Sequence, residues 1–234
     1  MLATAPALDT TYTLDDRYRR DRGRILITGI QALVRLPLMQ WRLDRARGLT
    51  TAGFVSGYRG SPLAGYDQAL WQARRLLEAE DVRFEPAVNE ALAATAVYGT
   101  QQVEAEARRK VDGVFALWYG KGPGVDMAGD AIKHGHAYGS SPRGGVLVVA
   151  GDDHGAVSST IAHQSDQAFV AWWMPVLHPA GIADYLDFGL WGWAASRFSG
   201  GWVGFKAISG TVESAATVEL SGELPEFIAP VDFT

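Results

Sequence analysis

The run GGVLVVAG at 144–151 constrains the fold more than any other stretch. It is apolar without a polar alternate, so a strand made from it needs cover on both faces. Shorter runs of the same kind recur in TAGFVSG, VRF, GVFALWYG, MPVL and GGWVGF. Between them lie stretches of roughly 10 to 20 residues with apolar positions at helical spacing. ITGIQALVRLPLMQWRLDRARG is one, closing on Gly48 as C-cap and kinked at Pro37. LAGYDQALWQARRLLEAE is another, with Leu70, Ala73, Leu76 and Leu77 on one face. An alanine-rich helix from Glu90 to about Arg109, VDMAGDAIKHGHAYG and IADYLDFGLWGWAASRFS follow. Continuous strands alternating with helices predict an α/β fold, a parallel sheet covered by helices on both faces. We bound it at 23–220, with a polar N-terminal arm at 1–22. A tail at 221–234 leaves the regular pattern as though the chain were cut into a linker.

The length of 234 residues suits one such domain. A net charge of −5 with no basic run gives no footprint for nucleic acid or an anionic membrane. The longest apolar runs fall short of a membrane span, and the start MLATAPALDTTYTLDD lacks a signal peptide's basic and apolar regions. The expected place is the cytoplasm. With no cysteine, the chain offers no disulfide, no thiolate nucleophile and no cysteine-ligated iron–sulfur or zinc site.

In an open α/β sheet ligands gather at the carboxyl ends of the strands. Those ends are GYRGSP, VNE, YGKGPG and GDDHGAVSS, all rich in glycine, charge or hydroxyl. GKGPG reads either as a phosphate cradle or as a tight turn that needs glycine. DDHG with His163 beyond it has no metal-ligand spacing, and no metal is assigned. His134 and His136 read as surface or boundary residues, and the late tryptophans (172, 173, 191, 193, 202) as core or a subunit face.

Glu90 stands out. One reading makes it a first-turn acid that stabilises its helix, with Asn89 as N-cap. The other starts from its company. Ala91, Leu92, Ala93, Ala94, Ala96 and Val97 suggest a helix apolar on nearly every side and buried from its start. A carboxyl group in such a place is costly to ionise; protonated, it is a hydrogen-bond donor for a basic nitrogen.

The pattern Asn-Glu-x-x-Ala-x-x-x-x-x-Gly from Asn89 to Gly99 resembles the pyrimidine-binding domain of thiamine-diphosphate enzymes. FEPAVNEALAATAVYGTQQ, DGVFALWYGKGPGVDMAGDAIKHG, GGVLVVAGDDHGAVSSTIAHQSDQAF and GWAASRFSGGWV extend the likeness. Together they resemble the N-terminal region of the long single-chain indolepyruvate ferredoxin oxidoreductases, over roughly residues 20 to 220. That family oxidatively decarboxylates aryl pyruvates, forms the acyl-CoA and passes electrons through iron–sulfur clusters to ferredoxin.

The resemblance implies that Glu90 is the catalytic acid that hydrogen-bonds the cofactor's aminopyrimidine and activates it. It implies cofactor contacts at Gly60 and Ser61, and substrate contacts at Arg59, Ser61, Lys121 and His154. Arg59 stands where related enzymes have proline; it pairs with the substrate carboxylate or bridges to another domain. A thiamine-diphosphate site also needs a Gly-Asp-Gly motif and a later asparagine that hold Mg²⁺ and the diphosphate. Asn89 is the only asparagine, so GDD at 151–153 does not supply that half. Mg²⁺, the clusters and coenzyme A are therefore expected on other domains, with a diphosphate-binding domain of the same or another chain as partner. A homo-oligomer is expected, and the chain alone should be inactive. The readings that follow are a piece of the full oxidoreductase, or a non-catalytic binding or assembly subunit that keeps the fold. A nucleotide-binding protein using GKGPG is the third.

Overall fold

The computed structural model describes residues 9–231, so the outer ends of the arm and tail, 1–8 and 232–234, lie outside the described residues. In chain order the elements are α1 (Asp16–Arg19), β1 (Arg22–Thr28), α2 (Gly29–Ala46), β2 (Thr51–Gly57), α3 (Tyr66–Gln72) and α4 (Arg74–Ala79). Then come β3 (Val82–Phe84), α5 (Glu90–Thr100), β4 (Gly113–Lys121), α6 (Gly122–Met127), α7 (Gly129–Tyr138) and β5 (Val146–Gly151). The series closes with α8 (Asp166–Ala171), β6 (Val176–Leu177), α9 (Ile182–Ser199), β7 (Val203–Lys206), α10 (Ser209–Val212) and β8 (Ala215–Ser221).

Six strands form one sheet in the order β3-β2-β4-β5-β7-β6. Every pairing in it is parallel, with Gly57 opposite Tyr119 and Lys121 opposite Gly151. This is the predicted α/β architecture. On one face Val55, Leu117, Leu147, Val149 and Phe205 meet Leu33 and Leu36 of α2 and Tyr185, Leu190 and Trp193 of α9. On the other, Ala116, Trp118, Val148 and Ala150 meet Ala93 and Val97 of α5, Ile132 of α7 and Phe169 of α8. β5 is buried at every position, as its unbroken apolar run requires.

Local chemistry sets the ends of α2. Thr28 and Gln31 form a reciprocal capping box, with Gln31 N–H on Thr28 Oγ1 at 3.2 Å and Thr28 N–H on Gln31 Oε1 at 3.0 Å. At the other end Gly48 takes φ +78°, its amide bonds Arg45 O at 3.0 Å and that of Leu49 bonds Asp44 O at 2.9 Å. This is a Schellman stop, and a side chain at Gly48 would strain it. α2 runs as a single helix through the expected kink site, Pro37. Arg197 of α9 forks onto Asp44 at 2.7 and 2.8 Å, while Thr51 of β2 and Gln40 bond the same carboxylate. One saturated acid thus ties two helices to the sheet.

The structure departs from the sequence reading at further points. β1 and β8 form an antiparallel two-stranded ribbon, Arg22 opposite Ser221, at the two limits placed on the domain. Predicted single helices are divided at Ala73 and at Ala128. The helix beginning at Glu90 stops at Thr100 instead of near Arg109. There Gln101 turns inward: its carbonyl accepts from Ser141 N–H and Gly145 N–H, each at 3.1 Å, and its amide donates to Val114 O at 3.0 Å. Satisfying three buried backbone groups of another segment outweighs extending the helix.

Candidate functional site

In the sheet the chain steps outward from β2 to β3, then crosses back to β4. The order therefore reverses between β2 and β4, and the crevice outside such a reversal is where open α/β folds bind ligands. The segments after β3, β2, β4 and β5 meet there.

The first is the start of α5. Asn89 caps it, its Oδ1 accepting from Leu92 N–H at 2.8 Å. Trp118 of β4 donates its indole N–H to Glu90 O at 3.0 Å and so fixes the first turn on the sheet. Glu90 is only 8% exposed. Among the described residues its carboxyl accepts no hydrogen bond and makes no ion pair. A carboxyl so enclosed and without a partner in the chain is open to a bond from a ligand.

The expectation of an all-round buried helix needs correction. Ala93, Ala94 and Val97 face inward, while Leu92 is 53% exposed and Thr95 and Ala96 face outward. Glu90 is buried by what lies across it. A Cβ built on Gly124 of α6 would stand 2.7 Å from Glu90 Oε1, so the backbone there is pressed against the carboxyl.

The Lys121–Gly124 segment is the crossing point of the whole cluster. A Cβ on Gly60 would lie 2.7 Å from Lys121 Cδ, and one on Gly122 would lie 2.3 Å from His163 Nδ1. Gly60, Gly122 and Gly124 are thus places where side chains from other loops cross the backbone. Of the two readings of GKGPG, this close packing supports the turn that needs glycine. Lys121 is half-buried and Arg59 is exposed. Neither cation has a hydrogen bond or ion pair among the described residues. Ser61 touches Ser158 hydroxyl to hydroxyl, and Ser159 Oγ donates to Ser61 O at 3.2 Å. Loops two strands apart are joined by those bonds.

The loop between β5 and α8 is built on two aspartates. Asp153 accepts from Val157 N–H at 3.1 Å, Ser158 N–H at 2.8 Å and Ser159 N–H at 3.0 Å. The Ser158 amide above all, with those of Val157 and Ser159, holds its carboxyl down at about 2 against burial, which raises it. Asp152 takes Ser165 N–H at 2.9 Å and Ser165 Oγ–H at 2.7 Å. Beneath it Lys206, 2% exposed, stands 3.5 Å from Asp152 Oδ2 and hydrogen-bonds Asp166. Burial raises the carboxyl of Asp166, but the hydrogen bond and charge of Lys206 outweigh it and hold it below the usual range.

His154, a candidate substrate contact, turns toward this cluster, its Nε2 lying 3.2 Å from Lys206 Nζ. Ligand atoms of Asp152, His154 and Asp166 lie within 4.8 Å of one another. The ammonium of Lys206 bonds or pairs with all three, so each already has a partner. His163, which spacing alone did not explain, lies between Asp126 and Asp152, its Nε2 2.8 Å from Asp126 Oδ2.

The structure therefore brings Gly60, Ser61 and Lys121 together at one crossing, and Glu90 joins it across Gly124. Arg59 lies on the same loop, and His154 goes to the lysine cluster. A cavity of about 650 Å³ lies elsewhere, at the β3 edge among Trp71, Arg74, Leu77 and Phe84.

No family model and no curated protein matches the chain. Among solved structures it is similar to a 2-oxoglutarate:ferredoxin oxidoreductase from Magnetococcus marinus with 2-oxoglutarate, coenzyme A and succinyl-CoA bound, with TM-score 0.60 and 16% identity. The likeness is one of fold. It covers 85% of this chain and 32% of that one, so this chain spans about a third of its neighbour. Among the described residues no helix is long and apolar enough to cross a membrane.

Proposed function

We propose that the chain is the pyrimidine-binding domain of a thiamine-diphosphate-dependent 2-oxoacid:ferredoxin oxidoreductase of the indolepyruvate type. The reaction is oxidative decarboxylation of an aryl pyruvate to the acyl-CoA. One observation carries the reading: a carboxyl group, Glu90, buried at the sheet reversal with nothing in the described chain to bond it. A ligand nitrogen brought against it would supply the partner that the chain does not.

When bound, the cofactor supplies an acidic carbon that attacks the keto group and takes up the electron pair left by CO₂. The chain's own part is narrower. Glu90 bonds the pyrimidine nitrogen and holds or yields the proton there. Gly124 fixes the carboxyl, and Gly60 gives close access beside Lys121. The free cations Arg59 and Lys121 oppose the substrate carboxylate, with the Ser61 hydroxyl beside them. His154, engaged with Lys206, is left out of the substrate set.

The donor set fits the pyrimidine half alone. Asp152 and Asp153 are spent on their own loop, and Lys206 already pairs with Asp152 and Asp166. The diphosphate, Mg²⁺, iron–sulfur clusters, coenzyme A and ferredoxin then belong to further domains. A docking surface for the first of these lies beside Glu90, where Val88, Leu92 and Met127 are 53–78% exposed. Alone, the chain should not turn over; a cytoplasmic, oligomeric assembly suits this reading.

Capture of the native assembly through this chain tests it. Bound thiamine diphosphate, with reduction of a viologen dye that requires indolepyruvate and coenzyme A, is the expected result. An assembly with partners bound but no thiamine would favour the non-catalytic subunit.

A further inference from the structure

We propose that His163 is a positioning residue that fixes the Lys121–Gly124 segment, and through Gly124 the Glu90 carboxyl. The argument rests on the reading of Glu90 as the cofactor's acid. His163 lies on the loop between β5 and α8, seven-eighths buried, with 12% of its side chain exposed. Its ring lies on Gly122, where a Cβ would come within 2.3 Å of Nδ1, so ring and backbone cannot move independently. Nε2 is 2.8 Å from Asp126 Oδ2 on the helix that carries Gly124. Nδ1 is buried without a hydrogen bond, and the nearest charged group is Asp152 Oδ1 at 3.5 Å.

The far side of the ring rests on a rigid base. Asp152 is held by Ser165 and Lys206, and the His163 amide donates to Asp153 O at 3.3 Å. The imidazole thus joins a fixed part of the sheet edge to α6, a six-residue helix with no side-chain cap. Such a short helix has little stability of its own, so its position must come from tertiary contacts. Glu90 Oε1, pressed against Gly124, inherits that position.

Two variants of the full chain separate hydrogen bonding from filling of space. His163→Leu keeps volume over Gly122 but has no donor for Asp126, while His163→Gln keeps an N–H at similar reach. Amide exchange across 122–128 should speed up about tenfold or more in His163→Leu. The ¹³C resonance of the Glu90 carboxyl should move with it. In His163→Gln both should stay near the parent values. If His163→Leu does not fold, Asp126→Ala removes the same bond from an exposed position and should give the same two changes. Parent-like exchange and an unmoved Glu90 resonance in His163→Leu, or in Asp126→Ala in its place, would overturn the proposal. Both readouts are made without cofactor, so failure of the thiamine reading would show separately, in the cofactor content of the native assembly.

Discussion

Two acid-bearing regions share one edge of the sheet, and they are treated in opposite ways. After β5, the carboxylates of Asp152 and Asp153 accept seven hydrogen bonds from Ser165, Val157, Ser158, Ser159 and Ser209, and Lys206 backs Asp152. After β3, Glu90 is buried and its carboxyl is bonded to nothing among the described residues. The first region builds a loop. The second holds a group ready for something else. Hydrogen-bond satisfaction, more than burial or residue type, separates a structural acid from one kept for a ligand.

The sharpest way to break the comparison is at Lys206. Lys206→Met strands the fully buried Asp152 carboxylate and should cost about 3–5 kcal/mol, read as a lower midpoint in urea. A change below about 1 kcal/mol would mean that this cluster is no better paired than Glu90. Gly124→Ala drives a methyl group to 2.7 Å from Glu90 Oε1. Overpacking there should cost about 1–3 kcal/mol and displace the Glu90 carboxyl resonance.

Acid should loosen the first region. The Asp153 carboxyl is depressed from 3.8 to about 2, so it binds fewer protons folded than unfolded. Its contribution is full above about pH 4 and is lost as pH falls toward 2. Amide exchange at 157–159 should therefore rise over that window in the parent, and Asp153→Asn should show the faster exchange already at neutral pH. The smallest effect is expected at Glu90. With no bond to break, Glu90→Gln should change unfolding stability by no more than about 0.5 kcal/mol.

The six-stranded sheet was legible because runs such as GVLVVAG fit only a strand covered on both sides. The ribbon of β1 and β8 was not, since RILIT and AATVEL each need the other, nearly 190 residues away, to be strands at all. The length of α5 was set by Gln101, whose buried bonds to Val114, Ser141 and Gly145 are invisible to local pattern. Alanine misled in the same helix, because it suits a buried and an exposed face equally and hid the outward turn of Thr95 and Ala96. Glu90 could be singled out from sequence by its neighbours. Its lack of a partner could not, nor could the place of His163, because both depend on which loops cross at Gly122 and Gly124.

The most direct measurement is hydrogen–deuterium exchange at thiazolium C2 of thiamine diphosphate bound to the native assembly, parent against Glu90→Gln. The glutamine keeps the shape and removes the transferable proton. The account predicts that exchange slows by about 10²–10⁴-fold while cofactor content stays near the parent's. Exchange at the parent rate in Glu90→Gln would contradict it and return Glu90 to the role of a helix-end acid.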